Sequence, residues 1–185
     1  MSVTDSNSVA IIHVFDLDGT LADGEHRLHY ICEPCGKPKA KKDWEGFFSE
    51  CLNDEPIYST IDILKAIATR RYFTGTNELI LILTARSDVA KKETMVWLNK
   101  HLNFKLGGEN VNPVDFLIMR PSGNRIQDDI LKPEQLELFL RGLRSSDNPK
   151  FRNVTVGSIY EDRSRVVKAW RKKGYKCLQV SDGDF

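Results

Sequence analysis

The stretch Val9-Ala10-Ile11-Ile12-His13-Val14-Phe15-Asp16-Leu17-Asp18-Gly19-Thr20 decides how the rest of the chain is read. An apolar, β-type run stops abruptly at two aspartates one residue apart, followed by glycine and threonine. Alternation along a strand places Asp16 and Asp18 on one side as the chain leaves the sheet, and Gly19 permits a tight turn. Two carboxylates at the carboxyl end of a buried strand are costly unless a cation or reaction partner compensates them. In open α/β sheets that edge is where ligands bind. The pair reads either as a divalent-metal site with a carboxylate nucleophile or as a capped strand-to-turn junction, since Asp and Gly are ordinary turn residues.

Working outward, Val9–Phe15 is the first strand. Leu79-Ile80-Leu81-Ile82-Leu83 is uniformly apolar, as a central parallel strand buried on both faces requires. Shorter strands are expected at Phe116–Met119, Val154–Tyr160 and Cys177–Val180. Between them, helices are expected over Ile57–Ala68, Ser87–Leu102 (Ser87 or Asp88 as N-cap; Val89, Met95, Val96 and Leu98 facing inward), Lys132–Leu143 (Pro133 in its first turn) and Ser164–Lys173. Strands alternating with helices imply an α/β fold, a Rossmann-like, doubly wound parallel sheet. The polar segment Asp23–Pro56, with Pro34 and Pro38, breaks the pattern. Its Trp44/Phe47/Phe48/Leu52 stripe suits one short amphipathic helix starting near Lys42 or Asp43. We read residues 1–185 as a single domain with a small inserted cap over about 23–56.

Composition limits the alternatives. A chain of 185 residues supports one domain with a real core. No apolar run is long enough for a membrane span, and the first eight residues lack a basic start, so a cytoplasmic protein with reduced Cys32, Cys35, Cys51 and Cys177 is expected. A net charge of +1 argues against bulk electrostatic binding of nucleic acid. The charge is nonetheless uneven: Asp43–Asp62 carries six acids and no Lys or Arg, Lys65–Lys105 eight bases against three acids, and Glu161–Lys173 six against two. Solvated helix faces account for most of this.

Three more groups of polar residues end strands in the same sense. Thr84-Ala85-Arg86-Ser87-Asp88 combines a hydroxyl, free backbone N–H groups before a helix and a guanidinium, the parts of an anion site. After the next strand come Asp128, Asp129 and Lys132, the lysine lying where the helix dipole disfavours it. After Val154–Tyr160 comes Glu161-Asp162-Arg163, an acidic pair suited to a hard cation. A nucleophile, a metal and donors around phosphoryl oxygens are what phosphoryl transfer needs.

These residues carry a resemblance. Asp16-Leu17-Asp18-Gly19-Thr20 resembles the first motif of the haloacid dehalogenase superfamily phosphatases, and Thr84, Lys132 and Glu161-Asp162 resemble its second, third and fourth. Within the superfamily the chain is most similar to the 3′-phosphatase domain of phage polynucleotide kinase/phosphatase. Arg27, Thr84-Ala85-Arg86, Asp128-Asp129-Ile130-Leu131-Lys132 and the Gly183-Asp184-Phe185 ending support that placement. Three departures stand out: Thr84 replaces a serine, Glu161 replaces an aspartate, and the 23–56 segment is longer. No Gly-x-x-x-x-Gly-Lys-Ser/Thr loop occurs, so the resemblance includes no kinase half.

The resemblance implies that Asp16 attacks phosphorus and becomes an aspartyl-phosphate, while Asp18 protonates the leaving oxygen and then activates water. It implies Mg²⁺ held by Asp16, the Asp18 carbonyl and Asp162, with Glu161 as a further candidate ligand. Thr84 and Lys132 would hold phosphoryl oxygens, Arg27 and Arg86 would grip the substrate, and Asp128 would orient Lys132. The implied substrate is a nucleic-acid 3′ end, of DNA or RNA, with free nucleotides as the alternative; a phage protein would act in the host cytoplasm. The residues themselves leave the oligomeric state open.

Weaker signals have plainer readings. Cys32-Glu33-Pro34-Cys35 is half a zinc site and needs His26, His29 or Cys51 to complete it. The Trp44/Phe47/Phe48 stripe reads first as packing within the cap and second as a base-stacking platform. Lys37, Lys39, Lys41 and Lys42 read as a solvated loop, of interest only if it faces the sheet's carboxyl edge. His13 reads as a satisfied core residue.

Overall fold

The computed structural model describes residues 9–183, so the expectations resting on Asp184, Phe185 and the first eight residues lie outside it. The strand that opens the chain, β1 (Ile11–Phe15), is the middle of a five-stranded sheet. On one side it pairs with β4 (Glu78–Ser87), and β4 with β7 (Phe116–Arg120). On the other it pairs with β8 (Thr155–Glu161), and β8 with β9 (Cys177–Gln179). Every pairing is parallel, giving the order β7-β4-β1-β8-β9. The chain runs from β1 outward on one flank and then returns to the other, so a topological switch point lies at the carboxyl end of β1.

Alternation divides the apolar residues between the two faces. Ile12, Val14, Leu79, Leu81, Leu83 and Ile159 pack beneath α4 (Asp128–Arg144) and α5 (Ser164–Lys172), with Trp170 at the centre. Phe15, Ile80, Ile82 and Tyr160 face α2 (Tyr58–Thr74) and α3 (Lys91–Leu102), where Phe15 and Tyr160 stack with centroids 4.3 Å apart. The sheet is thus Rossmann-like and doubly wound, as the alternation implies. His13 lies within it, bonded to Ser158 at 2.9 Å and Glu78 at 3.1 Å.

Several details differ from the sequence reading. β4 continues through Ser87, which pairs with Arg120, so Thr84 and Arg86 lie inside the strand rather than after it. A 3-10 turn at Asp88–Ala90, capped by Ser87, then shifts the phase of α3. Thr94, Trp97, Leu98 and Leu102 point inward, while Val89, Met95 and Val96 are exposed. The larger apolar payload of Trp97 and Leu98 decides the helix face. α4 begins at Asp128, so Pro133 sits in its second turn and Lys132 is not at the helix start. A hairpin of β5 (Phe104–Leu106) and β6 (Glu109–Val111), absent from the sequence reading, fills the connection after α3.

The 23–56 segment leaves and rejoins the core through paired strands, β2 (Ala22–Asp23) and β3 (Glu55–Pro56). Between them lie 3-10 turns at Glu25–Tyr30 and Cys51–Asn53 and the helix α1 (Trp44–Ser49), whose N-cap Asp43 accepts from Gly46 N–H. α1 begins where the aromatic stripe places it, although Leu52 falls in the following turn.

Candidate active site

Strand register brings the polar strand ends together. Phe15 is level with Ile82 on β4 and with Tyr160 on β8, so Asp16 comes out beside Glu161, its N–H bonded to the Tyr160 carbonyl at 3.0 Å. Thr84 lies at the same edge on the other side, buried, its hydroxyl accepting the Arg86 N–H at 3.0 Å. That N–H is therefore not free for an anion.

Two charged clusters form around the Asp-x-Asp pair. In the first, Asp16, Glu161 and Asp162 are all buried, with carboxylate oxygens within 4.8 Å of one another. Lys132 reaches in from α4 and places Nζ 2.8 Å from Asp16 Oδ1 and 2.7 Å from Glu161 Oε2. Burial and the nearby Glu161 push the Asp16 carboxyl up to about 7, and burial together with Asp16 pushes Asp162 up to about 6. Burial alone would discharge Lys132, but the attraction of Asp16 and Glu161 prevails and raises its pKa. Asp162 Oδ2 is buried without a hydrogen-bond partner. Gly19, at φ +82°, and Gly183 make room for that carboxylate, since a Cβ at either position would overlap it. Three buried acids facing one lysine, with an orphaned oxygen among them, form a donor set that suits a hard divalent cation. Among the described residues these three acids are the one group of His, Cys, Asp and Glu placed to hold a metal, and neither Cys32 nor Cys35 belongs to it.

The second cluster surrounds Asp18. Arg27 Nη2 and Arg86 Nη2 both stand 2.5 Å from Asp18 Oδ1, and both also bind Asp54, at 2.8 Å and 2.7 Å to Oδ2. Burial would raise the Asp18 pKa, but Arg86 and Arg27 outweigh it and hold the carboxyl well below the usual range. Asp18 is thus an ionised carboxylate here, the form that activates water; donating a proton requires its release from the arginines. Its side chain lies outside the Asp16/Glu161/Asp162 group. The sequence reading missed Asp54, whose side chain is fully buried. Its carbonyl also accepts the Trp97 indole N–H at 2.7 Å. The signal available was an acid at the end of the inserted segment, next to the return strand.

Asp128, expected to orient Lys132, makes its direct ion pairs with Arg163 and Arg165 and meets Lys132 only through longer-range attraction. The two arginines hold its carboxyl below its ordinary pKa against the effect of burial. Because α4 starts at Asp128, that residue stands at the helix mouth, facing the loop after β8, while Lys132 points inward.

A parallel sheet with carboxylates, a lysine and a hydroxyl at one switch point defines a phosphatase of the haloacid dehalogenase fold. The model of the polynucleotide kinase PNKP phosphatase domain matches residues 10–185, and the chain belongs to that family. A protein assigned as a bifunctional polynucleotide kinase/RNA ligase in Autographa californica nuclear polyhedrosis virus is 24% identical over 156 residues, 84% of this chain and 17% of the relative. Among solved structures, one from a Pnkp1/Rnl/Hen1 complex superposes with a TM-score of 0.64 at 23% identity, covering 97% of this chain and 48% of the other. A haloacid dehalogenase-like hydrolase from Streptococcus pneumoniae gives a TM-score of 0.55 at 15% identity, covering 94% and 86%. The chain therefore spans 17% of the viral relative's length and under half of the matched chain in the Pnkp1/Rnl/Hen1 complex. Among the described residues no helix is long and apolar enough to cross a membrane.

Proposed function

We propose that this phosphatase removes the terminal phosphate from nucleic-acid 3′ ends through an aspartyl-phosphate on Asp16. The match to the polynucleotide kinase phosphatase family across residues 10–185 is the observation that carries the reading. The site supplies the parts. Asp16 is the buried carboxylate at the switch point and attacks phosphorus. Lys132, beside it, neutralises phosphoryl oxygens, and the Thr84 hydroxyl at the neighbouring strand end donates to them. Asp18 handles the proton, first for the leaving oxygen and then for the attacking water. Arg27 and Arg86 serve Asp18 and Asp54 at rest and are the groups we assign to gripping the substrate beside Lys132. Asp16, Asp162 and the Asp18 carbonyl are the groups we assign to Mg²⁺, with Glu161 committed to Lys132. When bound, the ion offsets the negative charge that accumulates on the phosphoryl group.

A phosphate-release panel tests this: 3′-phosphorylated DNA and RNA, 5′-phosphorylated ends and free nucleotides, each with Mg²⁺ and with EDTA. Release from 3′ ends, dependent on Mg²⁺, is expected. Equal or better turnover of mononucleotides would assign the site to nucleotides instead.

A further inference from the structure

The 23–56 segment brings more to the site than Asp54. Its helix α1 lies against the 3-10 turn that precedes α3, and between α1 and residues 87–93 runs a groove of about 500 Å³, within the ~300–1,000 Å³ of small-molecule pockets. Trp44, Glu45 and Phe48 form one wall; Ser87, Val89 and Glu93 form the other. Trp44 is 47% exposed, whereas Trp97 and Trp170 are wholly buried, so core packing does not account for an indole here. Its orientation is nonetheless fixed by stacking on Phe48, centroids 5.9 Å apart, and by an edge contact with Phe47 at 5.7 Å.

Both walls are tied to the arginines around Asp18. Ser87 directly follows Arg86. On the other side, the Arg27 guanidinium lies 4.1 Å from the Phe47 ring centroid and donates to the Phe47 carbonyl at 3.4 Å. Each wall thus holds a residue next in sequence to one that binds Asp18 or packs on its arginine: Ser87 follows Arg86, and Phe48 follows Phe47. Exposed lysines adjoin each wall in sequence, Lys41 and Lys42 before Trp44 and Lys91 and Lys92 after Ala90, and Lys42 Nζ stands 5.3 Å over the Trp44 ring. Aromatic surface flanked by lysines is how single-stranded nucleic acid is held: bases stack while phosphates meet the cations. Glu45 and Glu93 sharpen the assignment. Their carboxylates accept from base N–H groups, the thymine N3–H included, but repel phosphates, so the groove suits the base and the lysines suit the backbone.

We infer that the groove is a nucleobase subsite, in which Trp44 stacks on a base near the end of the single strand presented to Asp16. The inference rests on the phosphatase reading above, yet its test needs no chemistry. Oligothymidylate ending in a 3′-hydroxyl is titrated into the full chain. Saturable quenching of tryptophan fluorescence is expected, and Trp44→Phe should remove the quenching while keeping the affinity within about threefold. In fluorescence anisotropy, Trp44→Ala should weaken binding about tenfold. An otherwise identical strand made abasic near its 3′ end should bind the wild type about tenfold more weakly and lose nothing further with Trp44→Ala. Absent quenching, or equal loss on intact and abasic strands, would overturn the subsite and leave the groove to another occupant, such as a peptide. If the protein releases no 3′-phosphate, the functional reading fails separately, and these binding results still decide the subsite.

Discussion

Asp16 and Asp18 leave the same strand end, yet they enter opposite surroundings. Asp16 joins Glu161 and Asp162 against one lysine, and burial together with Glu161 pushes its carboxyl up to about 7 despite that lysine. Asp18 joins Asp54 against two arginines, and its carboxyl is held far below the ordinary range. One cluster is short of a cation and the other is balanced. The difference arises from where the partners come from: β8 and α4 serve Asp16, whereas β4 and the 23–56 segment serve Asp18. Two neighbouring carboxylates acquire opposite electrostatic surroundings because the fold delivers different counter-charges to each.

The sharpest way to break this contrast is Asp16→Asn, which keeps the shape and removes the proposed nucleophile. Phosphate release should fall by about 10³-fold or more, and appreciable residual turnover would sink the mechanism. Next, Asp54→Ala leaves two buried guanidinium groups with one carboxylate between them. Urea unfolding should show a loss of about 3–5 kcal/mol; a near-neutral result would mean the second cluster is not balanced by Asp54. For the first cluster, Mg²⁺ added to EDTA-treated protein should raise the melting temperature, with a gain of about 2.7 kcal/mol at a hundredfold excess over the dissociation constant. Asp162→Asn should cancel most of that gain, and Asp54→Asn should not.

The smallest effect concerns a buried ionisable group outside both clusters. Burial lowers the His13 pKa below its ordinary 6.5, against the pull of Glu78. The folded protein resists protonating it, so its contribution is complete above 6.5 and drains away as pH falls through the lowered value. The slope cannot exceed about 1.4 kcal/mol per pH unit. The raised carboxyls of Asp162 and Asp16 act in the opposite sense, destabilising the metal-free protein as pH rises through about 6 and about 7 respectively. Comparing urea midpoints of His13→Asn and the wild type below pH 6.5 isolates the histidine; parallel curves would refute its assignment.

Periodicity made the sheet legible, because β1 and β4 are apolar enough to be buried on both faces and their ends carry the polar motifs. It failed where a local feature reset the phase. The 3-10 turn after Ser87 rotated α3, and Asp128 and Asp129 proved to be helix rather than approach, which moved Lys132 one turn inward. Arg27, Arg86 and Asp18 were visible as motif residues, but not their attachment to one another. That depends on Asp54, a lone acid in an irregular segment with no pattern to announce it. Chemistry at strand ends can be read from spacing, whereas a counter-ion supplied across a long connection requires the fold.

The short pairing of Ala22–Asp23 with Glu55–Pro56 has a further consequence. It holds the two ends of the inserted segment side by side, so the core meets the same boundary whatever lies between them. The closure entropy of such a loop grows only logarithmically, about 0.6 kcal/mol for each doubling in length. Provided Arg27 and Asp54 stay near the stem, the intervening residues can be lengthened, shortened or exchanged at little thermodynamic cost. The stem is in effect a graft junction, through which one hydrolytic core can carry different intervening segments.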